Sequence, residues 1–597
     1  MLDDGANLQP LRVLQERPEY AFDVVVGNDS GPLGRPLSML SFVIDAVFFD
    51  ASVGLFKQHN LLIHLLSSCL IMLLLLQLMR QSKTEHASVL ALLATCAWLY
   101  SPMYVSTVLY IVQRMAQLAA LFSLFGLILY ACGRARQQQD KGGWLLILCG
   151  LLVGGLAIFA KENAIVFWPL VLLTEMVFFS LRASQPRDRW ILRTAVYKVL
   201  PALLVALALF AVLKLGRFLE AFYLRDFTLW ERILTQSRVL LTYIGEMLFP
   251  FRLDFGLFND DYEVSRGFLS PVTTLYSMIA MAVLVAGAIG CCLREQTRLI
   301  GYGLAFFLVA HSVESTILPL EIYFEHRNYL PGVGLFIAAV SAIYQFGYRF
   351  LAQRAVTVSV GLVWIAGSLM VSGVIASIWS SASLFTLHSY AGHPGSLRAA
   401  TEVSILYARA GDVSSSLAYL GRANQQNLES EQVMTVRELS LYCLADQPFP
   451  PELLQKLQPD PAWRLHPANE SLNVLVQNIS SGKCPRFQAQ LLADRFEALF
   501  LEDTRFPPST KHFALLAALD NLLQRYDRAE RYVQKWLDTK PKAAVGLLML
   551  LYFQLGQGDV QNASLTAGKL EALQAEGLLS VEQEDDLKMF RQALEAG

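Results

Sequence analysis

The stretch LLIHLLSSCLIMLLLLQLM, residues 61–79, decides the fold class of this chain. It contains no Asp, Glu, Lys or Arg, and a helix needs about 20 mostly apolar residues to cross the hydrocarbon core of a bilayer. Over the whole chain 54% of residues are hydrophobic and 16% are charged, whereas a soluble globular domain has about 25% charged residues. The composition therefore predicts a polytopic membrane protein.

Similar apolar runs recur through the region 57–380. They predict an all-α transmembrane bundle of about ten spans, at 57–79, 87–103, 110–132, 143–160, 164–181, 196–215, 270–293, 298–318, 329–346 and 355–378.

The distribution of Lys and Arg between the loops predicts the orientation, because short cytoplasmic loops are enriched in both. Loops on one side carry Arg80, Lys83, Arg134, Arg136, Lys141, Arg182, Arg187, Arg189, Arg193, Lys198, Arg294, Arg298, Arg349 and Arg354. Short loops on the other side carry only Arg114, Lys161 and Arg327. We therefore expect a bacterial inner-membrane protein whose C-terminal region after Trp379 lies in the periplasm.

Ten spans place both ends of the chain on the outer side, although the chain begins with the polar segment 1–56 and no signal peptide. We expect that the native protein has one more apolar helix before this segment.

Two outer segments have apolar side chains at helical spacing. Residues 36–56 belong to the first periplasmic loop, 1–56, and residues 228–249 belong to the long outer loop 216–269. Both segments predict amphipathic helices in the plane of the interface, which could wall a cavity or only cover the bundle.

The region 385–597 predicts a separate periplasmic domain of helix pairs. Helix–turn–helix patterns occur at 398–424, 512–540 and 543–573, whereas 445–485 is irregular and rich in Pro. Helix pairs with a period of about 34 residues are typical of tetratricopeptide repeats. We expect a TPR-like α-solenoid, with a generic helical domain as the alternative.

Composition limits the cofactors and partners. The net charge of −2 gives no support to nucleic-acid binding. The eight cysteines lack the spacing of a metal site, but Cys443 and Cys484 could form a disulfide in an oxidising compartment. The pairs Asp3–Asp4 and Asp260–Asp261 could hold a divalent cation, although two carboxylates are few ligands for one.

Several ionisable residues lie at the outer ends of the spans, where they either point into a polar cavity or only extend to the interface. Arginine matches the geometry of phosphate oxygens, so Arg35, Arg114 and Arg327 are candidate phosphate ligands. Asp3 or Asp4 could act as a general base towards an attacking hydroxyl.

Two further outer motifs have open interpretations. Lys161 and Glu162 either form an orienting ion pair or belong to a site. His326 is either a phosphate ligand or a hydrogen-bonded helix cap, and its neighbour Arg327 favours the first interpretation.

The blocks GRPLSMLSF…HNLLIHLL (34–66), YIVQRMAQLAALFSLFGLILY (110–130), AKENAIVFWPLVLLTE (160–175) and LPLEIYFEHRNYLPGVGL (318–335) resemble bacterial relatives of the transmembrane-and-tetratricopeptide-repeat O-mannosyltransferases, in the GT-C glycosyltransferase superfamily. The resemblance covers most of residues 1–395. It implies an inverting transfer of a sugar from a polyprenyl-phosphate donor to a protein or glycan acceptor outside the cytoplasm.

The resemblance also implies roles for individual residues. It makes Asp3 and Asp4 the catalytic acidic pair, although in the family this pair follows a first transmembrane helix. It implies that the donor-phosphate and cavity residues are Arg35, Gln113, Arg114, Lys161, Glu162, His326 and Arg327.

A non-catalytic alternative is a membrane scaffold whose repeats assemble an envelope complex such as a pilus or a secretion system. A transporter would need polar or broken helices near the bilayer midplane, whereas the charged residues here concentrate at one face, with His311 and Glu314 as the main exceptions.

Overall fold

The protein is represented by a computed structural model that describes residues 7–15, 17–28, 31–49, 52–202, 205, 216, 222, 225–351, 354–427, 430–458, 466–502 and 509–596. The described part of the chain is all-helical and contains no β-strand. The chain divides into two compact units, Met1–His393 and Pro394–Gly597. The division therefore lies a few residues after the position near 385 that the sequence predicts.

The first unit consists of helices joined by turns and by longer loops, such as those at 249–272 and 311–330. They are α1 (Ala21–Val26), α2 (Pro36–Phe48), α3 (Val53–Gln81), α4 (Ala87–Leu99), α5 (Val105–Leu109), α6 (Arg114–Gln138), α7 (Trp144–Leu156), α8 (Phe167–Thr174), α9 (Pro186–Thr194), α10 (Leu229–Leu248), α11 (Thr273–Cys292), α12 (Arg298–Ala310), α13 (Pro331–Leu351), α14 (Arg354–Ile378) and α15 (Ala382–Gly392).

Fewer helices meet the length and composition of a membrane span than the ten expected. Among the described residues five do so, at Val53–Gln81, Ile111–Gln138, Glu162–Phe179, Thr273–Cys292 and Val358–Ile378. A sixth span results if Ala87–Leu99 and Pro102–Leu109, which meet at 49°, are taken together. The figure of about ten spans stays a prediction.

The remaining expected spans differ for identifiable reasons. The run 298–318 is helical only to Ala310, because the polar residues that follow, beginning with His311, form turns. In the runs 143–160 and 329–346 the apolar helical stretches, Trp144–Phe159 and Pro331–Gly347, are shorter than a membrane span. Most of 196–215 lies outside the described residues.

Glycines allow two helix pairs to approach closely. A Cβ on Gly126 of α6 would lie 2.7 Å from the carbonyl oxygen of Gly150 in α7. Between α12 and α13, a Cβ on Gly303 would lie 2.4 Å from the carbonyl oxygen of Gly334. Because α13 follows directly after the motif that contains His326, the second contact positions that motif.

Arg134, which the sequence assigns to a cytoplasmic loop, has a structural role inside the protein. Arg134 lies within α6 and is fully buried. Its guanidinium contacts both carboxylate oxygens of Glu175, at 2.7 and 2.9 Å, and donates to the backbone carbonyl of Arg182 at 2.9 Å. The geometry is that of a bidentate Arg–carboxylate pair.

The amphipathic helix expected in the long outer loop is α10. Thr228 caps its N-terminus, and Glu231 returns a hydrogen bond to the Thr228 backbone, which completes a capping box. The expected helix in the first outer loop is α2. Its Asp45 interrupts the apolar pattern because the carboxylate is buried in an ion pair, not because it faces water.

The second unit consists of helix pairs joined by tight turns. Its helices are α16 (Leu397–Arg409), α17 (Val413–Asn427), α18 (Glu431–Leu444), α19 (Glu452–Lys456), α20 (His466–Ser480), α21 (Ala489–Glu497), α22 (Thr510–Leu522), α23 (Tyr526–Thr539), α24 (Ala544–Gln557), α25 (Val560–Ala575) and α26 (Val581–Ala596).

Within this unit α22, α23, α24 and α25 pack in sequential order, as helix pairs of a repeat array do. Gly411 and Gly558 turn the chain between paired helices with φ of 83° and 74°. A disulfide joins Cys443 to Cys484 across the irregular region. The tetratricopeptide character of the array stays a prediction.

Candidate functional site

The structure describes the side chains of the seven candidate substrate ligands. The predicted catalytic pair, Asp3 and Asp4, lies outside the described residues. Five of the seven ligands belong to one group in space, which contains Arg35, Lys161, Glu162, His326 and Arg327.

Arg35 and Glu162 form an ion pair between residues distant in sequence. Arg35 has a left-handed backbone, with φ of 51°, directly before α2, and its Nε lies 3.0 Å from Oε2 of Glu162. The turn before Arg35 packs on the same carboxylate, since a Cβ on Gly31 would lie 2.3 Å from Oε1. Both side chains remain about one quarter exposed, so the pair borders the solvent.

Lys161 lies beside this pair and carries the second cation of the group. Its Nζ is 3.7 Å from Oε1 of Glu314. Burial lowers the pKa of the Lys161 ammonium; Glu314 acts in the opposite direction, and the positive charges of Arg35 and Arg327 lower the pKa further. The two arginines are therefore close enough to Lys161 to act on it electrostatically.

Arg327 is the third cation, and its guanidinium lies over the Phe324 ring at 5.3 Å. Its side chain is only 4% exposed, and Nη1 donates to the backbone carbonyl of Ile322 at 3.1 Å. The described carboxylates on this face, Glu162 and Glu314, pair with Arg35 and Lys161 instead. Glu314 also interacts electrostatically with Arg327, so Lys161 and Arg327 share one carboxylate. Because buried charges are costly when they are incompletely paired, the group favours the approach of an anion.

His326 lies among the three cations with both ring nitrogens available. The imidazole stacks on the Phe324 ring at 5.0 Å and is half-buried, and no hydrogen bond to it occurs within the described residues. Burial, together with Lys161, Arg327 and Arg35, lowers its pKa well below the usual range. The ring is therefore neutral near pH 7 and able to donate one hydrogen bond and accept another.

Arg114 belongs to a different network. It is 1% exposed, and its guanidinium donates to Asp45 at 2.6 Å, to Asn60 at 2.8 Å and to the carbonyls of Ser41 and Phe56. These contacts connect α2, α3 and α6. They give Arg114 a structural role and leave it little capacity for a phosphate.

Gln113 ends a short 3₁₀ turn, Ile111–Gln113, immediately before Arg114. Its side chain is buried and forms no hydrogen bond with another described residue. No hydrogen bond or ion pair among the described residues connects it with the group around His326.

Sequence reasoning missed Arg232, which supports the site from α10. The side chain is fully buried and donates to four backbone carbonyls, among them Glu314 at 2.7 Å and Thr316 at 3.1 Å. Burial lowers the pKa of Arg232 to about 9, and Arg327 contributes to the shift. The amphipathic pattern showed that 228–249 is helical, but it gave no sign that this cation points inwards.

A second polar group, also missed, surrounds Glu246. The carboxylate accepts a hydrogen bond from Tyr323 and lies 3.4 Å from Arg252, which also pairs with Asp254. Burial raises the pKa of Glu246. Nδ1 of His393 lies 3.0 Å from Oδ1 of Asp261, which belongs to the acidic pair Asp260–Asp261.

No three His, Cys, Asp or Glu side chains are arranged to hold a metal ion in the part of the chain that the structure describes. The chain matches no protein-family model, no curated protein and no solved structure.

Proposed function

We propose that the protein is a membrane glycosyltransferase that moves a sugar from a polyprenyl-phosphate donor to a protein or glycan acceptor on the periplasmic face. One observation carries the proposal: Arg35, Lys161 and Arg327, from three segments distant in sequence, all act electrostatically on the imidazole of His326, which forms no hydrogen bond with another described side chain.

The charge of the group suits the donor. Three cations and the two carboxylates paired with them leave one positive charge. Arg232 adds a further positive charge beside the group, but four backbone carbonyls occupy its donors, so it does not bind the phosphate directly. A sugar joined to a lipid through one phosphate is a phosphodiester with one negative charge. In this proposal Arg327 and Lys161 bind the phosphate, while Arg35, held by Glu162, borders the entrance.

Catalysis needs a carboxylate that accepts the proton of the acceptor hydroxyl. The resemblance assigns this role to Asp3 or Asp4, and we retain it as part of the proposal. His326, a neutral hydrogen-bond donor and acceptor beside the phosphate, is a further polar contact for the donor.

Two features support the cellular location. The described helices include five that are long and apolar enough to span a membrane, and a disulfide between Cys443 and Cys484 suits an oxidising compartment. The second unit would present the acceptor, as repeat arrays bind extended partners on a concave face.

The first test measures binding of polyprenyl phosphate to the purified full-length protein. Arg327→Gln and Lys161→Met should each weaken binding about tenfold or more, because each removes a charge-assisted contact. Arg266→Gln is the matched control, since Arg266 is exposed and pairs with Glu231 at 3.1 Å. Equal affinity in all four proteins would refute the phosphate site.

The second test measures sugar transfer from polyprenyl-phosphate mannose. Asp3→Asn and Asp4→Asn should abolish transfer without loss of membrane insertion or of polyprenyl-phosphate binding. Full transfer by both variants would remove the acidic pair from the mechanism. If neither donor binding nor transfer is detected in the unmodified protein, the scaffold alternative replaces the enzyme.

A further inference from the structure

The segment after α8 carries a second cationic surface, far in sequence from the proposed phosphate site. Helix α9 continues without a break into the π-helical turn Ala195–Val199. One face of this continuous helix carries Pro186, Arg189, Trp190, Arg193, Thr194, Tyr197 and Lys198. We call these seven residues the basic–aromatic face.

The cations of this face have no counter-charge within the described residues. Arg189, Arg193 and Lys198 are exposed, and none of them forms an ion pair with another described side chain. The acidic residue of the segment, Asp188, instead accepts a hydrogen bond from Nε1 of Trp144 at 2.9 Å. The face therefore concentrates positive charge.

The aromatic residues of the face are also unusually exposed for their size. Trp190 is 67% exposed and Tyr197 is 63% exposed. Large aromatic rings on a surface next to Lys and Arg are typical of the boundary between a bilayer and water, where the ring enters the headgroup layer and the cation reaches phosphate.

The predicted orientation in the membrane also supports a location of this face at the boundary between bilayer and water. The segment belongs to the loop with the largest number of Lys and Arg residues, Arg182, Arg187, Arg189, Arg193 and Lys198, which the positive-inside rule places in the cytoplasm. Anionic lipids of the cytoplasmic leaflet attract basic segments next to a span, and basic pockets on this side bind anionic headgroups.

We propose that the basic–aromatic face binds the headgroup of an anionic phospholipid of the cytoplasmic leaflet. Arg189 and Arg193, one helical turn apart, bind the phosphate, and Lys198 contributes the third positive charge. Trp190 and Tyr197 lie at the level of the glycerol and the first acyl carbons. This site rests on the proposed membrane topology, but it does not depend on sugar transfer.

The test titrates the full-length protein in detergent with dihexanoyl phosphatidylglycerol and records bound lipid by native mass spectrometry. Each basic residue near an anionic surface contributes about a fivefold change in affinity. Arg189→Gln combined with Arg193→Gln should therefore weaken binding about 25-fold. Arg182→Gln combined with Arg187→Gln removes the same charge from the same loop but not from the face, and it should leave binding within about twofold of the unmodified protein.

Two further ligands separate a headgroup site from a simple anion site. Dihexanoyl phosphatidylcholine should bind far more weakly than phosphatidylglycerol, and millimolar inorganic phosphate should not displace the anionic lipid. Trp190→Ala should weaken lipid binding without changing the response to inorganic phosphate.

Equal losses in the two double variants, or displacement by inorganic phosphate, would overturn the proposal. All variants are at exposed positions, so they should fold, and an unchanged midpoint of thermal unfolding in detergent confirms this. Loss of polyprenyl-phosphate binding in the unmodified protein would count against the transferase and leave the lipid site unaffected.

Discussion

Arg114 and Asp45 form an ion pair, with 2.6 Å between Nη1 and Oδ2, in which both side chains are almost completely buried. His59 contacts the other carboxylate oxygen of Asp45 at 2.8 Å. The pair connects α6 to α2, and α2 starts at the residue after Arg35. The position of Arg35 at the proposed phosphate site thus depends on an interaction deeper in the protein.

Removal of Arg114 should therefore destabilise the protein. Breaking a buried pair from one side costs about 3–5 kcal/mol, because the remaining charge stays buried. We expect Arg114→Met to lower the midpoint of thermal unfolding strongly in detergent. Arg266→Gln, which removes an exposed pair, should change stability by at most about 1 kcal/mol. An unchanged midpoint for Arg114→Met would contradict the structural role.

Arg327→Met should have the opposite effect on stability. The arginine is buried and donates to one backbone carbonyl, and it forms no ion pair with a described carboxylate, so an apolar side chain of similar volume should raise the thermal midpoint or leave it unchanged. The same variant should lose the stabilisation that polyprenyl phosphate gives the unmodified protein. A large loss of stability without ligand would show that Arg327 has a structural partner.

His326 should make stability depend on pH with a defined sign. Its pKa is lowered in the folded protein by burial and by Lys161, Arg327 and Arg35, and the unfolded value is about 6.5. The contribution to stability is therefore present above pH 6.5 and is lost as the pH falls below it. Replacement by Asn should reduce the fall in thermal midpoint between pH 7 and pH 5.

His393 should make the stability of the folded protein depend on pH in the opposite direction. The imidazole contacts Asp261, and despite burial this carboxylate raises its pKa. The contribution of protonated His393 to the stability of the folded protein is complete below pH 6.5. It is lost as the pH rises through the pKa of His393 in the folded protein. His393→Asn should thus destabilise the protein more at pH 5.5 than at pH 8. An equal effect of both substitutions at every pH would exclude these assignments.

The disulfide can be tested by counting thiols. The structure has six free cysteines and the pair Cys443–Cys484. Alkylation of the unfolded, non-reduced protein should modify six thiols, and prior reduction should raise the number to eight. The bond joins residues 41 positions apart, so reduction should destabilise the second unit by about 4 kcal/mol in the chain-entropy treatment. Cys69→Ser, at an exposed free cysteine, is the control.

Hydrophobic runs predicted the helical class, and they located helices such as Val53–Gln81 because length and apolarity are local properties. They overestimated the length of the helix in the run 298–318, because the polar residues from His311 onwards end this helix at Ala310. The loop charges predicted that Arg35, Lys161 and His326 lie on the same side of the membrane, and this orientation stays a prediction. The network of Arg114 and the inward direction of Arg232 depend on contacts between distant segments, and periodicity contains no information about those.

The incomplete pairing of Arg327 has a consequence for the lifetime of the protein. A ligand that binds only the folded state stabilises it in proportion to the logarithm of its concentration. If the anion that binds Arg327 is the lipid-linked donor, a cell with little donor would contain mostly ligand-free protein. This ligand-free form is the least stable one and the most susceptible to proteolysis. The amount of protein in the membrane would then follow the supply of its own substrate.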